Sequence, residues 1–146
     1  MPTNISSLFG KSVSTTGVST ASSFGIGTDT SLGGSLFSLG PVSATDVNVT
    51  TVATTAATSV VGITTATFRS ARVQVQITQG TSYQASDVLL VHDGTTPSII
   101  EYGSIATGSY LANYSTDINS GNARLLVTMN SASSATVKTV AQKITL

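Results

Sequence analysis

Cysteine is absent from the 146 residues, so neither a disulfide nor a thiolate metal site is available. Tryptophan is absent too, and aromatic residues make up only 5% of the chain. A sugar-binding groove walled by aromatic rings would have to draw on Tyr83, Tyr102, Tyr110 and Tyr114, the four tyrosines. Charge is the third shortage. Charged residues account for 8% of the chain, against about 25% in an ordinary soluble domain. Six basic and six acidic residues balance to a formal net charge of zero. The basic ones, Lys11, Arg69, Arg72, Arg124, Lys138 and Lys143, are scattered, without the clustering that nucleic-acid phosphates demand. No apolar run reaches the ~18 residues of a membrane-crossing helix. The first residues, Met-Pro-Thr-Asn-Ile-Ser-Ser, carry neither the basic nor the apolar region of a signal peptide. Neither a nucleic acid nor a membrane is therefore expected as a partner.

What the chain does have is serine and threonine, which make up roughly a third of it. It is polar without being charged. Val, Ile and Thr favour pleated strands, unlike the composition of a disordered chain. A free monomer with so little charge has weak protection against association. A subunit that lives inside an assembly escapes that difficulty.

The chain divides by composition. Residues 1–41 read as an extended assembly arm, with Gly10, Gly17, Gly25, Gly27, Gly33, Gly34 and Gly40 interrupting every stretch long enough for a helix or strand. Apolar anchors recur among them: Ile5, Leu8, Phe9, Phe24, Ile26, Leu32, Leu36 and Phe37. A plain flexible linker lacks such anchors. They mark the arm as a partner-binding segment, ordered by burial against other subunits.

Residues 42–146 read as an all-β, antiparallel β-sandwich or jelly-roll-like domain. Val47, Val49 and Val52 suit a first strand, and Val60, Val61 and Ile63 a second. Phe68 to Gln79 alternates, with Val73, Val75 and Ile77 directed inward and Gln74, Gln76 and Thr78 outward. Tyr83 to His92 follows, and its run Val88-Leu-Leu-Val91 predicts a strand buried on both faces. Asp93-Gly94 predicts a hairpin returning through Ser98–Tyr102, and Asn119-Ser-Gly-Asn122 a second turn of the same chemistry. Arg124–Met129 and Thr136–Leu146 complete seven to nine strands and no helix.

No catalytic constellation emerges, and no enzyme activity, cofactor or metal is expected. Asp93 and Glu101 would resemble a glycosidase pair only if the hairpin brought them together. His92, the single histidine, is expected to bond to the nearby turn, and no G-x-S-x-G elbow accompanies it. Asp93 and Asp117 are the residues a calcium ion would use. Gly10-Lys-Ser12 lacks the upstream glycine of a P-loop, and Gly25-Ile-Gly27 lacks the third glycine of a dinucleotide fingerprint. Arg69 and Arg72 are expected to be solvent-facing charges at a sheet edge, with pairing to acids of a neighbouring subunit as the alternative.

Between residues 64 and 146, Phe68-Arg-Ser-Ala, Val75-Gln-Ile-Thr, Leu89-Leu-Val-His-Asp-Gly-Thr-Thr96, Glu101-Tyr-Gly, Asp117-Ile and Gly121-Asn-Ala-Arg-Leu-Leu-Val127 occur in that order. This order resembles a β module of virion structural proteins in marine tailed phages, cyanophages especially. The resemblance implies a particle protein, located in the virion and assembled in the host cytoplasm, with no catalytic residues to carry over. Short length and an anchoring arm then favour a capsid decoration (cement) protein. It would be a homotrimer whose arm clamps the major capsid protein or other virion subunits. A collar, neck or tail-fibre subunit is the alternative, and a host-glycan-binding module a further one.

Overall fold

The structure, a computed structural model, describes residues 37–39 and 43–146. It contains nine strands and, among the described residues, no helix: β1 (Phe37–Leu39), β2 (Ser43–Val52), β3 (Thr58–Thr64), β4 (Phe68–Gln79), β5 (Ser82–His92), β6 (Pro97–Ala106), β7 (Ala112–Asn119), β8 (Asn122–Met129) and β9 (Ala135–Thr145). All-β, antiparallel architecture is thus what the structure has. The strands form a six-stranded sheet, ordered β1-β2-β9-β4-β5-β6, and a three-stranded sheet, ordered β3-β8-β7.

Side-chain alternation explains why the two sheets meet. On β4, Ala71, Val73, Val75 and Ile77 are buried while Arg72, Gln74 and Gln76 are exposed. Val88 and Leu90 of β5 and Val137 and Ala141 of β9 join them on the same inner face. Opposite lie Val60 and Ile63 of β3 and Leu125, Val127 and Met129 of β8, and all belong to one apolar cluster. Each large aliphatic side chain so buried contributes about 1.5–3 kcal/mol to the folded state. Asn48 adds a polar tie between the sheets, its Nδ2 donating to the Val60 carbonyl at 3.1 Å.

Turn chemistry sets the register of the hairpins. Ser120 and Gly121 link β7 to β8 and both have positive φ, 49° and 74°. That is the geometry of a two-residue type I′ turn, whose twist matches the flanking strands. Between β5 and β6, Asp93 caps its own turn. Its Oδ1 accepts from the backbone N–H of Thr96 (2.7 Å) and Thr95 (2.8 Å) and from the Thr95 hydroxyl (2.9 Å). Gly94 supplies the φ of 111° that this turn requires.

Three expectations need correction. The run Val88–Val91 is not buried on both faces. Val88 and Leu90 lie in the core, but Leu89 is 45% and Val91 49% exposed. Consecutive buried apolar residues occur instead on β8, at Leu125, Leu126 and Val127. Arg69 and Arg72 do not sit on a sheet edge, because β4 lies between β9 and β5. His92 bonds to the start of β4 rather than to its turn, as described below.

Candidate functional site

Of the partner-binding residues read from the sequence, Ile5, Leu8, Phe9, Phe24, Ile26, Leu32 and Leu36 lie outside the described residues. Phe37 begins β1, whose backbone pairs with β2, Phe37 opposite Thr45 and Leu39 opposite Ser43.

His92, Asp93 and Asp117 are engaged in holding the fold. His92 is buried at the end of β5, its Nε2 2.8 Å from the Phe68 carbonyl. Arg69 donates from Nη1 to the His92 carbonyl at 3.0 Å, so the pair fastens the start of β4 to the end of β5. The three N–H and O–H donors around Asp93, led by the Thr96 and Thr95 amides, pull its pKa down to about 2. Glu101 stands opposite Val88, five residues down β5 from Asp93. At about 3.3 Å per residue that separation is roughly 16 Å, far beyond a carboxylate pair's working distance. Asp117 is held by Arg124 across β7 and β8, Nε to Oδ1 at 2.7 Å and Nη2 to Oδ2 at 2.5 Å. That hydrogen-bonded guanidinium lowers the Asp117 pKa and occupies the oxygens a calcium ion would need. Among the described residues no three His, Asp or Glu side chains gather in a way that could hold a metal.

Two further charged or polar groups were not identified from the sequence. Lys143 and Asp46, 97 residues apart, form an ion pair on the inner face of the large sheet, with Lys143 Nζ 5.1 Å from the Phe68 ring centroid. Gln84, 1% exposed, receives the Leu111 and Ala112 amides on Oε1 at 2.7 and 3.1 Å. It secures the chain between β6 and β7 to β5. No local pattern marks either group, since both depend on strands brought together by the fold. Among the tyrosines, Tyr114 packs against the core, where burial raises its pKa. Tyr110 turns its hydroxyl to the Ser104 carbonyl at 3.3 Å. The two do not make an open stacking platform.

What remains is a surface, the face of the six-stranded sheet turned away from the core. The strand register fixes its rows. Reading from β2 through β9, β4 and β5 to β6, one row is Thr45, Gln142, Arg72, Leu89 and Ile100. The next is Val47, Val140, Gln74, Asp87 and Gly103, and the third Val49, Lys138, Gln76, Ala85 and Ile105. A polar stripe on β4 therefore divides two apolar flanks. One flank is Val47, Val49 and Val140, and the other is Leu89, Val91, Ile100, Tyr102 and Ile105. Val49 is 64% and Ile105 72% exposed. A shallow groove of about 520 Å³ runs beside Leu89, Val91, Ile100 and Ile144. Charge on the face is nearly self-cancelling. Arg72 reaches Asp87 at 3.2 Å and lies 5.8 Å above the Tyr102 ring centroid. This pairing within the chain replaces the expectation of a free edge charge.

No family model and no curated protein matches the chain. Two solved structures are similar over part of it. One is the tailspike protein of Acinetobacter baumannii phage AM24, at 10% identity and a TM-score of 0.46, covering 70% of this chain and 26% of that one. The other is the tailspike protein of Acinetobacter phage vB_ApiP_P1, at 18% identity and a TM-score of 0.40, covering 69% of this chain and 22% of that one. The chain spans about a quarter of the length of either protein.

Proposed function

We propose that this chain is a non-catalytic structural subunit of a phage virion, of the marine tailed-phage kind its sequence resembles. Within the particle we assign it to capsid decoration, with residues 1–41 holding it to the major capsid protein. The observation that carries the assembly reading is the outward face of the six-stranded sheet. Aliphatic side chains there stand about half exposed on both flanks, and clustered exposed apolar side chains mark interaction surfaces. Low charge throughout the chain fits a molecule whose surface is largely contacted by other subunits. The engagement of His92, Asp93 and Asp117 in turns, hairpins and ion pairs supports a structural rather than a chemical role.

Quantitative mass spectrometry of purified particles tests it. The chain should be present at a copy number on the scale of the major capsid protein. A copy number matching one ring or one set of fibres would move it to the collar or tail. Absence from the particle would remove the reading altogether.

A further inference from the structure

We infer that the outward face of the six-stranded sheet is the contact between two copies of this chain, packed sheet on sheet about a two-fold axis. The inference deepens the assembly reading above and rests on it. Three features of the face select a second copy over other occupants.

The first is area. The nine large apolar side chains on this face are each 39–72% exposed. Together they offer roughly 800 Å², which is what one partner contributes to a stable interface of ordinary size.

The second is charge. The face carries Arg72, Asp87 and Lys138, and the first two neutralise each other. A strongly charged partner, whether an anionic membrane, a nucleic acid or an acidic protein, finds little to pair with here. A copy of the same face meets no comparable repulsion. Gln74 and Gln76 on the central stripe are amides, both donors and acceptors, and so complement themselves.

The third is arrangement. In a two-fold contact the same patch serves both copies, so every feature must meet its complement on the same surface. An axis parallel to the strands and close to β4 lays the β2–β9 flank of one copy over the β5–β6 flank of the other. Val47 and Val49 then come over the strand that bears Ile105. Lys138 comes over the strand that bears Asp87. Aligned sheets pack about 10 Å apart, close enough for these side chains to interdigitate. A two-fold pair differs from the trimer expected from the sequence, and the mass of the assembly separates the two.

Light scattering coupled to size exclusion, run on the full chain across a dilution series, tests the pairing. The wild type should show twice the 14.7 kDa chain mass at micromolar concentration and dissociate on dilution. Val49→Asp and Ile105→Asp, on opposite flanks, should each weaken dimerisation at least ~10-fold, the equivalent of about 1.4 kcal/mol. Ala132→Asp, in the exposed loop between β8 and β9, should leave it unchanged. Far-UV circular dichroism establishes that each variant is folded. If one fails, the variant on the other flank and the wild-type mass still decide. A wild type that stays monomeric, a trimer mass, or undiminished dimers in both flank variants overturns the inference. A monomer still found in particles would remove the pairing and keep the virion reading. A dimer absent from particles would do the reverse.

Discussion

Leu89 and Leu90 are chemically identical neighbours on β5 that face opposite ways, and truncating each to alanine separates the two faces of the large sheet. Leu90 is 2% exposed, stands opposite Ala71 on β4 and Ile99 on β6, and belongs to the core. Removing its side chain loses the transfer energy of the deleted atoms and leaves a cavity in packed surroundings. Buried leucines so truncated cost about 2.7–5 kcal/mol. Leu89 is 45% exposed, flanked by Arg72 and Ile100. Its truncation removes cross-strand contacts worth less than about 1 kcal/mol within one chain. Urea denaturation at a concentration where the chain is monomeric reads both values directly, because association would otherwise add its own stabilisation. In thermal melts the Leu90→Ala loss corresponds to roughly 10–20 °C. Equal losses at the two positions, or a larger loss at Leu89, would refute the placement of the core on one side of β5.

Three other outcomes follow from the geometry. Gln84→Leu should cost about 2–4 kcal/mol in urea denaturation, since the Leu111 and Ala112 amides lose their acceptor in a buried position. Ser120→Asn should stabilise by about 0.5–1 kcal/mol, because asparagine tolerates the positive φ that serine holds there. Asp93 should titrate near pH 2 by NMR, below the unfolded value of about 3.9. A depressed folded pKa means that its contribution is complete above about pH 4 and lost as pH falls toward 2. Asp93→Asn should keep the turn and remove that part of the acid dependence.

The parts of the fold legible in the sequence are those governed by neighbours along the chain. Alternation from Val73 to Ile77 gave β4 its faces and its bounds, Phe68–Gln79. Asp93-Gly94 and Asn119-Ser-Gly-Asn122 marked two hairpins because Gly94 and Gly121 take the positive φ that such turns require. Val88–Val91 was misread for a physical reason. A continuous apolar run looks the same whether its second face is covered by its own chain or left for another. That ambiguity is itself informative, since Leu89 and Val91 carry core-like side chains onto an open surface. The Lys143–Asp46 pair, the Arg72–Asp87 pair and the anchoring by Gln84 were illegible because each requires register between separate strands. The apolar anchors Ile5 to Leu36 lie outside the described residues, and their role stands as a proposal.

The absence of cysteine permits a direct test of whether the outward face is covered. A single thiol introduced as Leu89→Cys can be compared with one at Ala132→Cys in the exposed β8–β9 loop, timing maleimide labelling in the full chain at high and low concentration. The account predicts slow labelling at position 89 that quickens on dilution, with position 132 fast throughout. Labelling of both positions at one rate, unaffected by concentration, would contradict it.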